Sequence, residues 1–112
     1  KTKNAIQNFV FQELFTNKWS TDIIRTYKKI NASEIDFIIE RPSGELIPIC
    51  ISHKDSIYPP KTTEWFLKQY WDRVKKWVKL CPLLNTYIPQ WQYDLHIIPL
   101  CMTKQIYTLF TD

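Results

Sequence analysis

Acidic residues separated by two or four positions mark the first half of the stretch SEIDFIIERPSGELIPICIS, residues 33–52. Asp36 lies between Glu34 and Glu40, and in a strand all three would point to one face. Carboxylate oxygens that converge from neighbouring elements are the ligands that Mg²⁺ prefers. The pattern therefore predicts either a metal site that includes Asp36 or a solvent-facing strand that carries ordinary acids.

The second half of this stretch presents a thiol and a hydroxyl, and an amine follows two residues beyond its end. Cys50 and Ser52 share one face of a predicted strand, and Lys54 joins them if the strand continues. Lys54 would then lie about 6–7 Å along the strand from Ser52. The first interpretation, which the residues favour by themselves, is a strand whose small residues pack beneath a helix.

A third acidic candidate lies upstream, on a helix predicted over Ala5–Phe15 after a capping Asn4. Glu13 falls in the middle of an apolar face of this helix. A carboxylate in that position is costly to bury unless a partner compensates it. Glu13 is therefore expected to extend its carboxylate to solvent, to pair with a basic side chain such as Arg25, or to help hold a cation or orient a catalytic group.

Six further elements are predicted after this helix. Strands are expected over Asp22–Lys28, Ser33–Glu40 and Leu46–Ser52, the last two forming an antiparallel hairpin around the turn RPSGE. A long helix follows from Thr62 to Leu80 and ends at Pro82. YDLHIIPL, residues 93–100, is predicted as a buried fourth strand, LLNTYIPQWQ as irregular, and KQIYTLF as either a short helix or an edge strand.

The order helix, three strands, helix, strand predicts a mixed α/β fold, with a small mixed sheet and flanking helices. A chain of 112 residues fits one domain. Because it begins at Lys1 rather than Met, we expect residues 1–112 to be a single domain of a larger chain.

Lysines dominate the outer face of the predicted long helix. They offer charge for phosphates, and neighbouring tryptophans offer rings on which bases stack. The alternative is a solvated lysine surface without a specific ligand. The lysines are Lys68, Lys75, Lys76 and Lys79, with Trp65, Trp71 and Trp77 nearby.

Composition narrows the function classes. The net charge of +4 is compatible with nucleic acid, and a single glycine argues against a glycine-rich phosphate loop. The three cysteines form no CxxC pair, which argues against structural zinc and predicts buried free thiols in a reducing, intracellular compartment. No apolar run approaches the roughly 20 residues of a membrane span, so no membrane partner is expected.

Taken together, the helix NFVFQEL, the strand EIDFIIE, the Pro/Gly turn and the strand IPICIS resemble the PD-(D/E)xK, or restriction-endonuclease-like, nucleases. The likeness is strongest to the nuclease-like C-terminal domain of certain bacterial AAA ATPases. There, a phrase close to aEvDFvie…g…ipIEvKss follows a helix of the type N-x-V-x-x-E-L. The resemblance covers Asn8 to Lys54 and implies a helix-strand-strand-strand-helix-strand core.

In that superfamily, a helix glutamate, a strand aspartate and the glutamate of E-x-K bind Mg²⁺, which activates water. The resemblance assigns Glu13 and Asp36 to the first two positions, whereas Cys50 and Ser52 stand at the glutamate and the lysine. Ile35 stands where the motif name has proline. A neutral thiol is a poor ligand for a hard cation, and serine carries no charge to stabilise a phosphate transition state.

The resemblance therefore implies a catalytically inactive nuclease-like domain that binds nucleic acid, DNA rather than RNA, or docks other domains or subunits of an assembly. It would carry no cofactor. One alternative is an active Mg²⁺-dependent nuclease that uses Glu13, Asp36 and a relocated Lys54, with Glu34 or Glu40 as a further carboxylate. Another is a protein-interaction domain unrelated to nucleic acid, which would dock a partner through the segment Leu83–Gln92.

Overall fold

The computed structural model describes residues 2–26, 35–58, 63–89 and 92–110. They form a mixed α/β fold, as predicted, in which helices flank one six-stranded sheet. No helix in these ranges is long and apolar enough to cross a membrane. In chain order the elements are α1 (Thr2–Asn17), β1 (Ile23–Thr26), β2 (Phe37–Glu40), β3 (Leu46–Ile51), α2 (Thr63–Tyr70), β4 (Lys76–Cys81), β5 (Thr86–Pro89), β6 (Asp94–Pro99) and a 3₁₀ segment, Leu100–Phe110, kinked at Met102.

The sheet has the strand order β1-β2-β3-β4-β6-β5. Strands β1, β2 and β3 form an antiparallel meander, and the chain then crosses through α2 to place β4 parallel to β3. Strand β6 is parallel to β4 and antiparallel to the edge strand β5. The predicted order of helix, three strands, helix and strand is present, although the fourth strand is β4 and not the segment that was predicted.

The hairpin of β2 and β3 is confirmed, and its register pairs Phe37 with Ile49. Its turn is closed by two backbone hydrogen bonds, from Arg41 N to Glu45 O and from Gly44 N to Arg41 O, both 2.9 Å long. Gly44 has a φ of 95°, a conformation that a side chain would strain. The only glycine of the chain therefore lies where the turn needs it.

Alternation along β2 and β3 divides the core into two layers. Ile39, Ile47 and Ile49 face Val10 and Leu14 of α1, together with the 3₁₀ segment. On the other face of the sheet, Cys50 and its neighbours pack with Phe66 of α2 and with the aromatic residues Trp77 and Tyr93. The Tyr107 hydroxyl donates a hydrogen bond to the Leu14 carbonyl, which joins the 3₁₀ segment to α1.

The prediction of one long helix over Thr62–Leu80 is wrong. Helix α2 ends at Tyr70, Arg73 N closes a turn by donating to Tyr70 O at 2.9 Å, and residues 76–81 form β4. A strand in the middle of a sheet is covered on both faces, so its residues form a nearly continuous apolar run. Such a run mimics one stripe of a helix, because Val74 and Val78 satisfy helical spacing as well.

Other boundaries also differ from the prediction. The segment predicted to be irregular contains β5, which pairs with β6 and ends in Pro89 at the outer edge of the sheet, where proline breaks no ladder. Strand β1 covers Ile23–Thr26. Asp22, the first residue of the predicted span, precedes the strand, and residues 27 and 28 lie outside the described residues. The predicted strand YDLHIIPL is confirmed as β6.

Candidate functional site

Asp36 lies one residue before β2, where its backbone N–H donates to Ile49 O at 2.9 Å. Both carboxylate oxygens accept hydrogen bonds. Oδ2 accepts from the backbone N–H of Ile51 at 2.8 Å, and Oδ1 accepts from Nε2 of Gln7 at 2.7 Å. The carboxylate therefore supplies the acceptor that a further backbone residue of β2 would otherwise provide, and it connects the hairpin to α1.

The helix residue that contacts Asp36 is Gln7 and not the predicted Glu13. Glu13 lies six residues after Gln7, about 9 Å further along the helix axis. Within the described ranges the Glu13 carboxylate makes no hydrogen bond or ion pair. The pairing of Glu13 with Arg25 is also wrong, because Arg25 Nε pairs with Glu40 Oε1 at 2.8 Å.

Helical spacing contained a signal for Gln7. This residue precedes Val10 by three positions and Leu14 by seven, so all three share the α1 face that packs on the sheet. Gln7 and Glu13 flank the same apolar stripe on opposite sides. Spacing alone predicts that one of them reaches the hairpin, and only the position of α1 over the sheet decides which.

Cys50 is buried in β3 beneath α2, as the first interpretation of IPICIS predicted. Its thiol donates a 3.6 Å hydrogen bond to Val78 O. Burial raises the pKa of Cys50 to about 12; the indole of Trp77 lowers it somewhat, and the Asp36 charge raises it further. The sulfur is therefore a neutral thiol at physiological pH, without the charge of the glutamate that the superfamily motif places there.

Ser52 and Lys54 do not continue the strand. β3 ends at Ile51, and although Ser52 N still donates to Leu80 O at 2.8 Å, the Ser52 hydroxyl closes a local turn. It donates to Lys54 O at 2.7 Å and accepts from Lys54 N at 3.3 Å. The predicted alignment of Lys54 with Cys50 on one strand face is wrong, because the turn carries Lys54 into an exposed loop.

The cation nearest to Cys50 in the sheet register is Lys79, which was assigned from sequence to a solvent-facing helix. Lys79 is the parallel partner of Cys50 in β4, and its side chain is buried. Its ammonium donates to the carbonyls of Ser56 at 3.1 Å and Tyr58 at 2.7 Å. Lys79 therefore holds the loop that follows β3. The sequence signal for the burial of Lys79 was its place within the nearly continuous apolar run WVKLC, which suits a strand covered on both faces.

The residues present do not fit a Mg²⁺ ion. Among the described residues, no group of three or more His, Cys, Asp or Glu side chains could hold a metal. Each oxygen of Asp36 already accepts one hydrogen bond from the fold, and Cys50 is neutral. Glu40 pairs with Arg25 and, at 3.5 Å, with Arg73. Glu34, the other substitute carboxylate, lies outside the described residues.

The predicted lysine face does not exist as a helix face. Lys68 lies on α2 and is exposed, whereas Lys75 lies in the link before β4 and Lys76 begins that strand. Lys76 Nζ pairs with Glu45 Oε2 at 3.1 Å. Together with the buried Lys79, these four residues therefore occupy separate environments.

Two members of the predicted set of lysines and tryptophans line one groove. Lys68 and Trp71 line a surface groove of about 430 Å³ at the end of α2, together with Leu67 and Gln92. Trp71 is 69% exposed, although tryptophan is large and apolar. The groove thus combines a cation, an exposed ring and a buried apolar residue.

A second, smaller cavity of about 250 Å³ lies between the β5–β6 hairpin and the 3₁₀ segment. His96 lines it, with its ring centroid 4.9 Å from that of Tyr87. Partial burial lowers the pKa of His96, which keeps the imidazole neutral near pH 7. The interpretation of His96 as a structural residue within an apolar strand agrees with this position.

Comparisons with known proteins identify no relative of this chain. No family model, curated protein or solved structure matches the chain. The interpretation of the site therefore depends on the contacts described above.

Proposed function

We propose that this chain is a nuclease-like domain that does not cut and that binds nucleic acid as a module of a larger assembly. The observation that carries the proposal is the state of Asp36, whose two carboxylate oxygens are engaged by Gln7 and Ile51 beside a buried, neutral Cys50. The resemblance implies a metal-binding centre at these residues, and the engaged carboxylate and the neutral thiol support the proposal that this centre does not cut.

The strand arrangement supports the resemblance. An antiparallel meander of β1, β2 and β3, followed through α2 by a parallel β4, agrees with the helix-strand-strand-strand-helix-strand core that the motif order implied. Asp36, one residue before β2, and Cys50, near the end of β3, belong to two neighbouring segments of that core, since Asp36 N donates to Ile49 O. Fold likeness alone carries no activity, so the chemistry of these residues decides the proposal.

Phosphodiester hydrolysis with Mg²⁺ needs open carboxylate oxygens for the metal and a cation free to approach the phosphate. Here the ammonium of Lys79 is engaged by two carbonyls, and Lys54 lies in an exposed loop beyond the end of β3. Lys79 is therefore engaged by the fold, and Lys54 does not continue the strand face that carries Cys50.

Charge supports nucleic acid as the ligand, and the resemblance favours DNA over RNA. The net charge is +4, and Lys54, Lys68 and Lys75 are exposed. Free thiols at Cys50, Cys81 and Cys101 fit a reducing, intracellular compartment.

The test combines cleavage with binding. Incubated with DNA and Mg²⁺, the protein should leave the DNA intact, and titration with Mg²⁺ should release no heat. Fluorescence anisotropy should detect DNA binding that weakens steeply as salt rises, because phosphate contacts release counterions. Metal-dependent cutting that disappears in Asp36→Asn but persists in Asp72→Asn, an exposed control, would establish the alternative of an active nuclease.

A second function, docking of a protein partner, is favoured by apolar side chains left in solvent. The segment Leu83–Gln92 contributes two exposed residues of this kind, Leu83 and Tyr87. Others lie on α1, on β1 and between them, namely Phe9, Phe15, Trp19 and Ile23. Apolar docking is insensitive to salt, so a partner bound equally well at low and high salt would favour this function over nucleic acid.

A further inference from the structure

The groove at the end of α2 is built on a fixed turn. Arg73 Nε donates to Gly44 O at 2.8 Å, and Leu46 N donates to Arg73 O at 2.8 Å, so the turn after α2 is tied to the β2–β3 hairpin. Trp71 lies within this turn, two residues before Arg73. The backbone that carries the exposed indole is therefore held in place before any ligand arrives, which lowers the entropy cost of binding.

We propose that this groove binds single-stranded nucleic acid, with one unpaired base stacked on Trp71 and an adjoining phosphate paired with Lys68. The inference rests on the proposed function and names the form of nucleic acid that the domain takes.

The groove suits an unpaired base for steric reasons. In a duplex both faces of each base are covered by neighbouring base pairs, so a protein ring can stack only on a base that is unstacked. Trp71 offers an exposed ring for this purpose, and Leu67 supplies a buried apolar wall. A volume of about 430 Å³ falls within the range of small-ligand pockets, which accommodate a single planar group.

The charge of the groove is complementary to a phosphate. Lys68 is exposed and forms no ion pair within the described ranges, in contrast to Lys76, which pairs with Glu45. Lys68 on α2 and Trp71 in the turn that follows both line the groove, so the cation and the ring are offered to the same ligand. The amide of Gln92 can both donate to and accept from a base edge, so it adds hydrogen bonds without selecting one base.

The experiment measures binding of a short, fluorescently labelled oligothymidylate by anisotropy, for the wild type and five variants. Trp71→Ala should weaken binding at least fivefold, because loss of one stacked base costs about 1–3 kcal/mol, and Trp71→Phe should recover most of the affinity. Tyr58→Ala is the matched control, since Tyr58 is 72% exposed and lies in a different loop.

Lys68→Ala should reduce the salt dependence of binding by about 0.7 in the slope of log affinity against log salt. Lys104→Ala removes the same charge from an exposed position outside the groove and should leave the slope unchanged. Circular dichroism of each variant confirms that the fold is retained. A duplex of matched sequence should bind more weakly than the single strand.

The outcomes separate the two proposals. If the wild type binds but Trp71→Ala and Lys68→Ala match their controls, or if duplex binds as tightly as single strand, the groove assignment is overturned and the proposed function stands. If neither form of nucleic acid binds, both are overturned.

Discussion

The closed site around Asp36 and Lys79 and the open groove around Lys68 and Trp71 contain similar chemical groups in opposite states. In the closed site, each charged group is engaged by the fold, Asp36 by two donors and Lys79 by two carbonyls. In the groove, Lys68 and the Trp71 ring face solvent. Groups that already hold the fold together are not free to bind a ligand, so binding is expected where the side chains are exposed.

The largest expected difference concerns the cysteines. The pKa of Cys50 is raised from 9.0 to about 12, so its thiolate fraction falls by about a thousandfold, and burial blocks reagents as well. Cys81 is also buried, whereas Cys101 is exposed. In the folded protein, a thiol reagent should modify Cys101 promptly and leave the other two unmodified, as mass spectrometry of digested peptides can measure.

Denaturant provides the control for this prediction, since all three cysteines should then react. Rapid modification of Cys50 in the folded protein would contradict the closed description of that site.

Paired lysine variants test the comparison directly. Lys79→Met keeps the apolar stem but removes two charge-assisted hydrogen bonds, so the free energy of unfolding should fall by about 2–3 kcal/mol. Lys68→Met, at an exposed position, should change it by less than about 0.5 kcal/mol. Urea denaturation measures both values. Equal stabilities of the two variants would show that Lys79 does not hold the loop after β3.

Asp36→Ala removes the acceptor for Ile51 N and for the Gln7 amide. We expect the free energy of unfolding to fall by about 2 kcal/mol, because two donors lose a charged partner in a half-buried place. Asp72→Ala is the exposed control, with an expected change below about 0.5 kcal/mol. If Asp36→Ala is as stable as the control, the carboxylate is not structural and its availability for a ligand must be reconsidered.

The smallest expected effect is the dependence of stability on pH through His96. This residue is half-buried, so its exposure lies between that of the buried Lys79 and that of the exposed Lys68. Its pKa is lowered in the folded state, so the unfolded chain binds more protons as pH falls through about 6.5. Stability should therefore decrease modestly below that pH, and His96→Gln should flatten the decrease. His53→Gln, at an exposed position, is the control. Its urea midpoint, measured as a function of pH, should follow that of the wild type.

Local patterns were sufficient to predict α1, the β2–β3 hairpin, its Gly44 turn and β6, because helical spacing, alternation and turn chemistry act between near neighbours. They failed at β4, since the signal of a strand covered on both sides is also the signal of a buried helix. They failed at Lys54 too, where alternation was extended beyond the residue at which β3 ends.

The sequence by itself determined that an aspartate, a cysteine and a serine stand at positions 36, 50 and 52, so that a neutral thiol and a hydroxyl occupy the places where the resemblance expects a glutamate and a lysine. Only the tertiary structure decided that Gln7 rather than Glu13 contacts Asp36, that Lys79 lies beside Cys50, and that Lys68 and Trp71 share a groove. The physical reason is that these contacts depend on how α1 lies on the sheet and how β4 pairs with β3, over separations that no local pattern spans.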